Sequence, residues 1–166
     1  NSDWWWNQVG DWTLNKSRFP NGLKEAADYI RLKGMIPGLW FEMESVTDGS
    51  VHFEEKEHLV LKDGVPLTVG NRRFWDMENP WVVNFLRESV IKTLKDNGFG
   101  YLKVDYNDTM GIGCDGEDGL GENLRKKVNA SQAFFKLIKE EIPKIVIENC
   151  SSGGHRLEPS MMELCS

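Results

Sequence analysis

The stretch Gly100-Tyr101-Leu102-Lys103-Val104-Asp105 decides how the rest of the chain reads. A short apolar run of this kind is a strand, and here it ends in a carboxylate. Similar runs begin near 36, 73 and 144: Met35-Ile36-Pro37-Gly38-Leu39-Trp40-Phe41, Arg73-Phe74-Trp75-Asp76-Met77 and Ile145-Val146-Ile147-Glu148. Segments of helical period precede the first of them and separate the later ones. Leu23, Ala26, Ala27, Ile30 and Leu32 mark the first, with Asn21 as N-cap and Gly34 as stop. Val82, Val83, Leu86, Val90, Ile91 and Leu94 mark the next, opened by Asn79-Pro80 and closed by Asn97-Gly98. A long one runs from about 121 to 141, burying Leu124, Val128, Phe134, Phe135, Leu137 and Ile138 and ending before Pro143. A last helix starts near Glu158-Pro159. The stretch 45–72 is irregular, with turn signals at Asp48-Gly49 and Lys62-Asp63-Gly64 and room for a short helix around 53–59. Strands apolar on both faces and alternating with helices predict an α/β fold with a parallel sheet.

Composition narrows the function. The 166 residues carry 20 basic and 26 acidic side chains, a net charge of −6, and 40% are hydrophobic. That balance, with no Lys/Arg run, points away from nucleic acid. No stretch reaches the roughly 18 apolar residues of a spanning helix, so no membrane partner is expected. Cys114, Cys150 and Cys165 form neither a disulfide framework nor a zinc pattern, and lean towards a reducing, cytoplasmic setting. The residues call for no cofactor. The chain begins Asn1-Ser2-Asp3 without a Met or a basic leader and stops at Leu164-Cys165-Ser166, so both ends read as cuts within a longer protein.

In parallel α/β folds, ligands bind where the strands end. Those ends carry Glu42 and Glu44, Asp76, Asp105 with Asn107, and Glu148 with Asn149 and Cys150. Residues two apart on a strand share a face, so Lys103, Asp105 and Asn107 project together. A cation beside Asp105 would favour its ionised form, which a carboxylate nucleophile requires. Trp4, Trp5, Trp6, Trp40 and Trp75 add flat apolar surfaces of the kind that stack on sugar rings, although Trp5, Trp75 and Trp81 also read as core.

The blocks GDW at 10–12, RFPNGLKEAADYIRLKGMIPGLWFEME at 18–44, WDMENPWV at 75–82, YLKVDYND at 101–108 and ENCSSGGHRLEPSMM at 148–162 resemble glycoside hydrolase family 36, the microbial and plant α-galactosidase group, in family order. The resemblance implies a (β/α)₈ TIM barrel and hydrolysis of terminal α-galactosides with retained configuration. Residues 1–166 would then be an incomplete catalytic barrel, about strands two to five with part of the first active-site loop. Asp105 looks like the nucleophile, and Lys103 and Asn107 look like ligands of sugar hydroxyls. Trp40 resembles the Trp lining the sugar site. Cys150 and the loop Ser151–Gly153 resemble the turn around the 2-substituent, with Ser152 and Gly153 at its floor. Arg156 looks like a supporting residue, Asp3 like an acid on the 4- and 6-hydroxyls, and Arg73 like a substrate-contacting Arg.

This chain departs from the family pattern at several points. Ser152 stands where many members carry Gly, Glu158 where they usually carry Asp, and Ser2-Asp3-Trp4 replaces the usual Asp-Asp-Gly-Trp or Asp-Ala-Gly-Trp. A retaining glycosidase needs a second carboxyl group about 5–5.5 Å from the nucleophile. In the family it follows the block ending at 162, so the acid/base is expected to be absent and the isolated chain inactive. The parent enzyme could be a homo-oligomer. Alternatives within the family are an α-N-acetylgalactosaminidase and a raffinose-synthase-like glycosyltransferase. Alternatives of another class are a barrel enzyme holding Mg²⁺ through Asp76, Asp105 and Glu148, and a non-catalytic galactoside-binding piece.

Overall fold

The computed structural model describes residues 5–165. Its helices are α1 (Leu23–Leu32), α2 (Pro80–Leu86), α3 (Lys92–Asn97), α4 (Leu120–Glu141) and α5 (Pro159–Met162). Its strands are β1 (Gly38–Phe41), β2 (Ser45–Thr47), β3 (Leu61–Lys62), β4 (Val65–Pro66), β5 (Thr68–Val69), β6 (Arg72–Phe74), β7 (Tyr101–Val104) and β8 (Val146–Asn149).

The parallel sheet has the order β1-β7-β8, so the helices between them act as crossovers. Its register aligns Trp40 with Lys103 and Lys103 with Glu148. One face carries Phe41, Leu102, Val104 and Ile147, all buried against Ala27, Val82, Leu86, Leu94, Phe134, Phe135 and Ile138 of the helices. The other face, with Trp40, Tyr101, Lys103 and Glu148, is only partly buried. The expectation of strands apolar on both faces is therefore corrected. Met35 and Ile36, read as part of a buried strand, are 57% and 66% exposed and precede β1.

The run near 73 is indeed extended, but it is not a strand of the parallel sheet. β6 pairs antiparallel with β2 and β5, and β3 pairs antiparallel with β4. Antiparallel neighbours need only short turns: Asp63-Gly64 joins β3 to β4 and Gly70-Asn71 joins β5 to β6, while the turn at Asp48-Gly49 leads away from β2. Gly49 is required at its turn: a Cβ there would lie 2.2 Å from the Asn7 carbonyl oxygen. This close approach, with Thr47 N–H donating to the Val9 carbonyl at 2.9 Å, seats the segment 5–11 on β2.

Helix boundaries follow local chemistry. Asn79 Oδ1 accepts from Trp81 N–H at 2.9 Å, capping α2 with Pro80 at its first position. A π-turn at Arg87–Ile91 joins α2 to α3, and its extra residue lets the adjacent Val90 and Ile91 both be buried. Gly98 ends α3 in the left-handed conformation. Asn21 does not cap α1: Gly22 holds that position and Asn21 Nδ2 donates to Glu25 instead. Leu32, Val128 and Trp81, each read as core, are 80%, 39% and 42% exposed. The short helix near 53–59 is a 3₁₀ turn at Lys56–His58.

Candidate active site

Strand pairing continues one residue beyond the named strands. Asp105 N–H donates to the Phe41 carbonyl at 2.9 Å, and Cys150 N–H to the Val104 carbonyl at 2.8 Å. The backbone thus holds Asp105 between the ends of β1 and β8. Its Oδ1 accepts from Tyr106 N–H (2.9 Å) and Ser152 N–H (3.3 Å), and its Oδ2 from Trp40 Nε1 (3.2 Å). Burial opposes ionisation, yet hydrogen bonds from Asn107, Tyr106, Trp40 and Cys150 hold the carboxyl below the ordinary carboxylate range.

Lys103 does not pair directly with Asp105. Its Nζ donates to Glu148 Oε1 at 2.8 Å, and Tyr101 Oη donates to Glu148 Oε2 at 2.5 Å. The hydrogen bond to Glu148 raises the Lys103 pKa, while hydrogen bonds from Lys103 and then Tyr101 lower that of Glu148. The cation expected to steady Asp105 is instead part of a neighbouring pair, and Asp105 is steadied chiefly by neutral donors. Asn107 meets Ser152, whose Oγ donates to Asn107 Oδ1 at 3.0 Å. Ser152 sits at φ 46° and Gly153 at φ 98°, so a glycine-favouring turn is held by a serine at its first position.

Trp6 stacks on Trp40, ring centroids 6.2 Å apart, and Trp12 meets Trp40 edge-on at 6.3 Å. The N-terminal aromatic segment therefore reaches Asp105 through Trp40. Trp75 is only 2% exposed and forms core, so it offers no sugar platform. Asp3 and Trp4 lie outside the described residues.

Arg73 is not brought to this cluster. Its guanidinium lies over Phe53, 4.0 Å from the ring centroid, bonds the Phe53 carbonyl and pairs with Glu54. Its neighbour Arg72 faces the site, as strand alternation requires. Arg72 Nη1 donates to Asp108 Oδ2 at 2.7 Å, and its guanidinium lies over Trp6 at 4.9 Å and beside Glu42. Arg156 pairs with the buried Glu44 at 2.7 Å and lies 4.0 Å over the Tyr106 ring, behind the Ser151–Gly153 loop. A cavity of about 230 Å³ opens there, lined among others by Tyr106, Met110, Arg156 and Met161, but not by Asp105.

Asp76 is likewise elsewhere, bound at 2.8 Å by Lys127. Asp76, Asp105 and Glu148 therefore do not form the Mg²⁺ site considered from sequence, and no cluster of three metal-ligating side chains occurs among the described residues. No helix among them is long and apolar enough to cross a membrane. Arg72 and Glu42 join the site although the sequence marks them by position alone, Glu42 at a strand end and Arg72 beside Arg73.

A family model described as Melibiase matches residues 5–166. Alpha-galactosidase 2 of Pediococcus pentosaceus is 30% identical over 160 residues, covering 93% of this chain and 22% of that protein. Alpha-galactosidase Mel36A of Lactobacillus acidophilus is 28% identical over 157 residues, covering 92% of this chain and 21% of that protein. A crystal structure of a variant of the α-galactosidase AgaA from Geobacillus stearothermophilus with stachyose superposes with a TM-score of 0.83 at 26% identity, covering 96% of this chain and 22% of that one. A raffinose complex of an AgaA variant gives 0.82 at 27% identity, with 96% and 23% covered. The chain spans about a fifth of the length of the curated relatives it matches. With that match running from the N-terminal aromatic segment through the turn after Cys150, the chain belongs to the melibiase family, glycoside hydrolase family 36.

Proposed function

We propose that this segment is part of the catalytic (β/α)₈ barrel of a retaining α-galactosidase, and that it supplies three neighbouring parallel strands, β1, β7 and β8, and the nucleophile side of the site. The observation that carries this reading is Asp105 itself. It sits at the carboxyl end of a central parallel strand, amid hydrogen-bond donors that keep it ionised. An ionised carboxylate can attack an anomeric carbon; a protonated one cannot.

In this mechanism Asp105 Oδ attacks the anomeric carbon of a terminal α-galactoside. The glycosidic bond breaks as a second carboxylic acid protonates the departing oxygen. Water, deprotonated by that same second group, then releases galactose and frees Asp105. Lys103 and Asn107 hold sugar hydroxyls, Trp40 stacks on the ring, and Cys150, Ser152 and Gly153 shape the wall near the 2-position. Arg156 braces that wall through Glu44 and Tyr106.

The second carboxyl group comes from outside these residues. Glu148 is nearby, but both its oxygens are occupied and its pKa is lowered, which suits a fixed anion and not a proton donor. The isolated chain is therefore expected not to turn over substrate. Lys103, Trp40 and the Ser152 turn also serve the substrate class: the relatives with stachyose and raffinose support an α-galactosyl oligosaccharide.

Exchanging residues 5–165 into a full-length relative such as AgaA tests the reading. The chimera should hydrolyse p-nitrophenyl α-galactoside and release α-configured galactose. Asp105→Asn should lower kcat by about 10³-fold or more without unfolding the protein. An Asp105→Asn chimera of undiminished kcat would refute the assignment.

A further inference from the structure

Glu42 follows β1 directly and is completely buried. A buried carboxylate must have its oxygens satisfied. Oε1 accepts from Asn107 N–H (3.1 Å) and Ser45 Oγ (3.2 Å), while Oε2 accepts from Asn107 Nδ2 (3.0 Å) and Arg72 Nη2 (3.3 Å). Arg72 also has Asp108 at 2.7 Å, so the guanidinium is not left alone without Glu42. Balancing Arg72 does not by itself explain why the backbone and side-chain N–H groups of Asn107 both converge on this carboxylate.

The two ends of an amide are nearly the same shape, so only hydrogen bonding decides which way Asn107 points. As found, Nδ2 faces Glu42 and Oδ1 accepts from Ser152 Oγ. A flip would set Oδ1 against the Glu42 oxygens, acceptor against acceptor. The orientation matters because Oδ1, so placed, holds the Ser152 hydroxyl at 3.0 Å, and Ser152 N–H donates to Asp105 Oδ1 at 3.3 Å, a bond that favours the carboxylate.

We propose that Glu42 is a positioning residue of the glycosidase site: by gripping both N–H groups of Asn107 it fixes the amide so that its oxygen holds Ser152, whose N–H donates to Asp105. This rests on the reading of Asp105 as nucleophile.

Glu42→Gln keeps the side-chain shape but puts an NH₂ where an acceptor stood. In the isotopically labelled chain, the Asp105 carboxyl titration followed by ¹³C NMR should move up by about 0.5 or more on the pH scale, and the Asn107 side-chain amide resonances should shift. Asp108→Asn removes the other acid on Arg72 without touching Asn107, and should not raise the Asp105 midpoint. If Glu42→Gln leaves midpoint and amide resonances in place, or Asp108→Asn raises the midpoint as much, Glu42 merely balances Arg72 and the proposal is overturned. Should Glu42→Gln fail to fold, the unsubstituted chain still decides. Slow solvent exchange of the Asn107 Nδ2 protons supports the grip, and a freely exchanging, rotating amide overturns it. These readouts need no turnover, so they fail separately from the glycosidase reading, which the Asp105→Asn chimera tests.

Discussion

The parallel and antiparallel sheets meet near Glu42 and handle charge in opposite ways. Where β6 faces the end of β1, Glu42 and Arg72 are sealed from water and committed to each other, to Asn107 and to Asp108. Along β7 and β8, Lys103, Asp105 and Glu148 remain partly open to solvent. Sealed charges hold a shape, because an unpaired buried charge is expensive and its partners cannot move freely. Open charges can exchange water for a substrate. The first region is the frame, and the second is the open surface to which the proposal assigns the sugar.

That contrast breaks most sharply at Glu42. Glu42→Ala leaves the Asn107 N–H groups without their acceptor and Arg72 with Asp108 alone, and should lower stability in urea by about 3–5 kcal/mol. Asp105→Ala, on the open side, should change it by about 1 kcal/mol or less. Equal losses would show that the two regions do not differ. Next in size is Gly49→Ala. Its Cβ would collide with the Asn7 carbonyl, so the 5–11 segment should lift from β2 at about 1–3 kcal/mol, and the stacking of Trp6 on Trp40 should be lost. Trp fluorescence against urea reads both effects.

A smaller effect concerns acid. Asp105 and Glu148 both have folded pKa values below their ordinary ones, so their contribution to stability is present above the ordinary carboxylate range and is lost as pH falls through the lowered values. Lys103→Met removes the main cause for Glu148. The variant's urea midpoint should then fall less steeply than that of the parent chain as pH drops below about 4. An unchanged slope would mean that Glu148 is steadied by something other than Lys103. The least effect is expected at Ser152→Gly, which relieves a left-handed serine. Stability should rise by about 1 kcal/mol or less, while the hydrogen bond to Asn107 Oδ1 is lost.

The parallel half of this comparison was legible in the sequence. Runs such as Tyr101–Val104 carry their own signal, and Lys103, Asp105 and Asn107 are linked by spacing alone. The antiparallel half was not. The 73 run reads as extended, but nothing local states which way its partner runs, and strands of two residues such as β3 and β4 have no period to detect. The family resemblance points to Arg73, but which of two adjacent arginines faces the site is set by strand phase, and that phase depends on the missing pairing. Glu42 was noticed as a strand-end acid, but its partners lie 30 and 65 residues away, so its burial and its role follow from topology. Similarly, Lys103 was placed beside Asp105 by spacing, whereas the register across β7 and β8 gave it to Glu148.

In the proposed mechanism Asp105, and not the neighbouring Glu148, forms the bond to sugar, and covalent trapping distinguishes the two. The chimera bearing residues 5–165 would be treated with a galactose-configured mechanism-based inactivator, digested, and its labelled peptide sequenced by mass spectrometry. One sugar adduct is expected, on the Asp105 carboxylate, and none in the Asp105→Asn chimera. An adduct on Glu148, or one that persists when Asp105 is replaced, would contradict the mechanism.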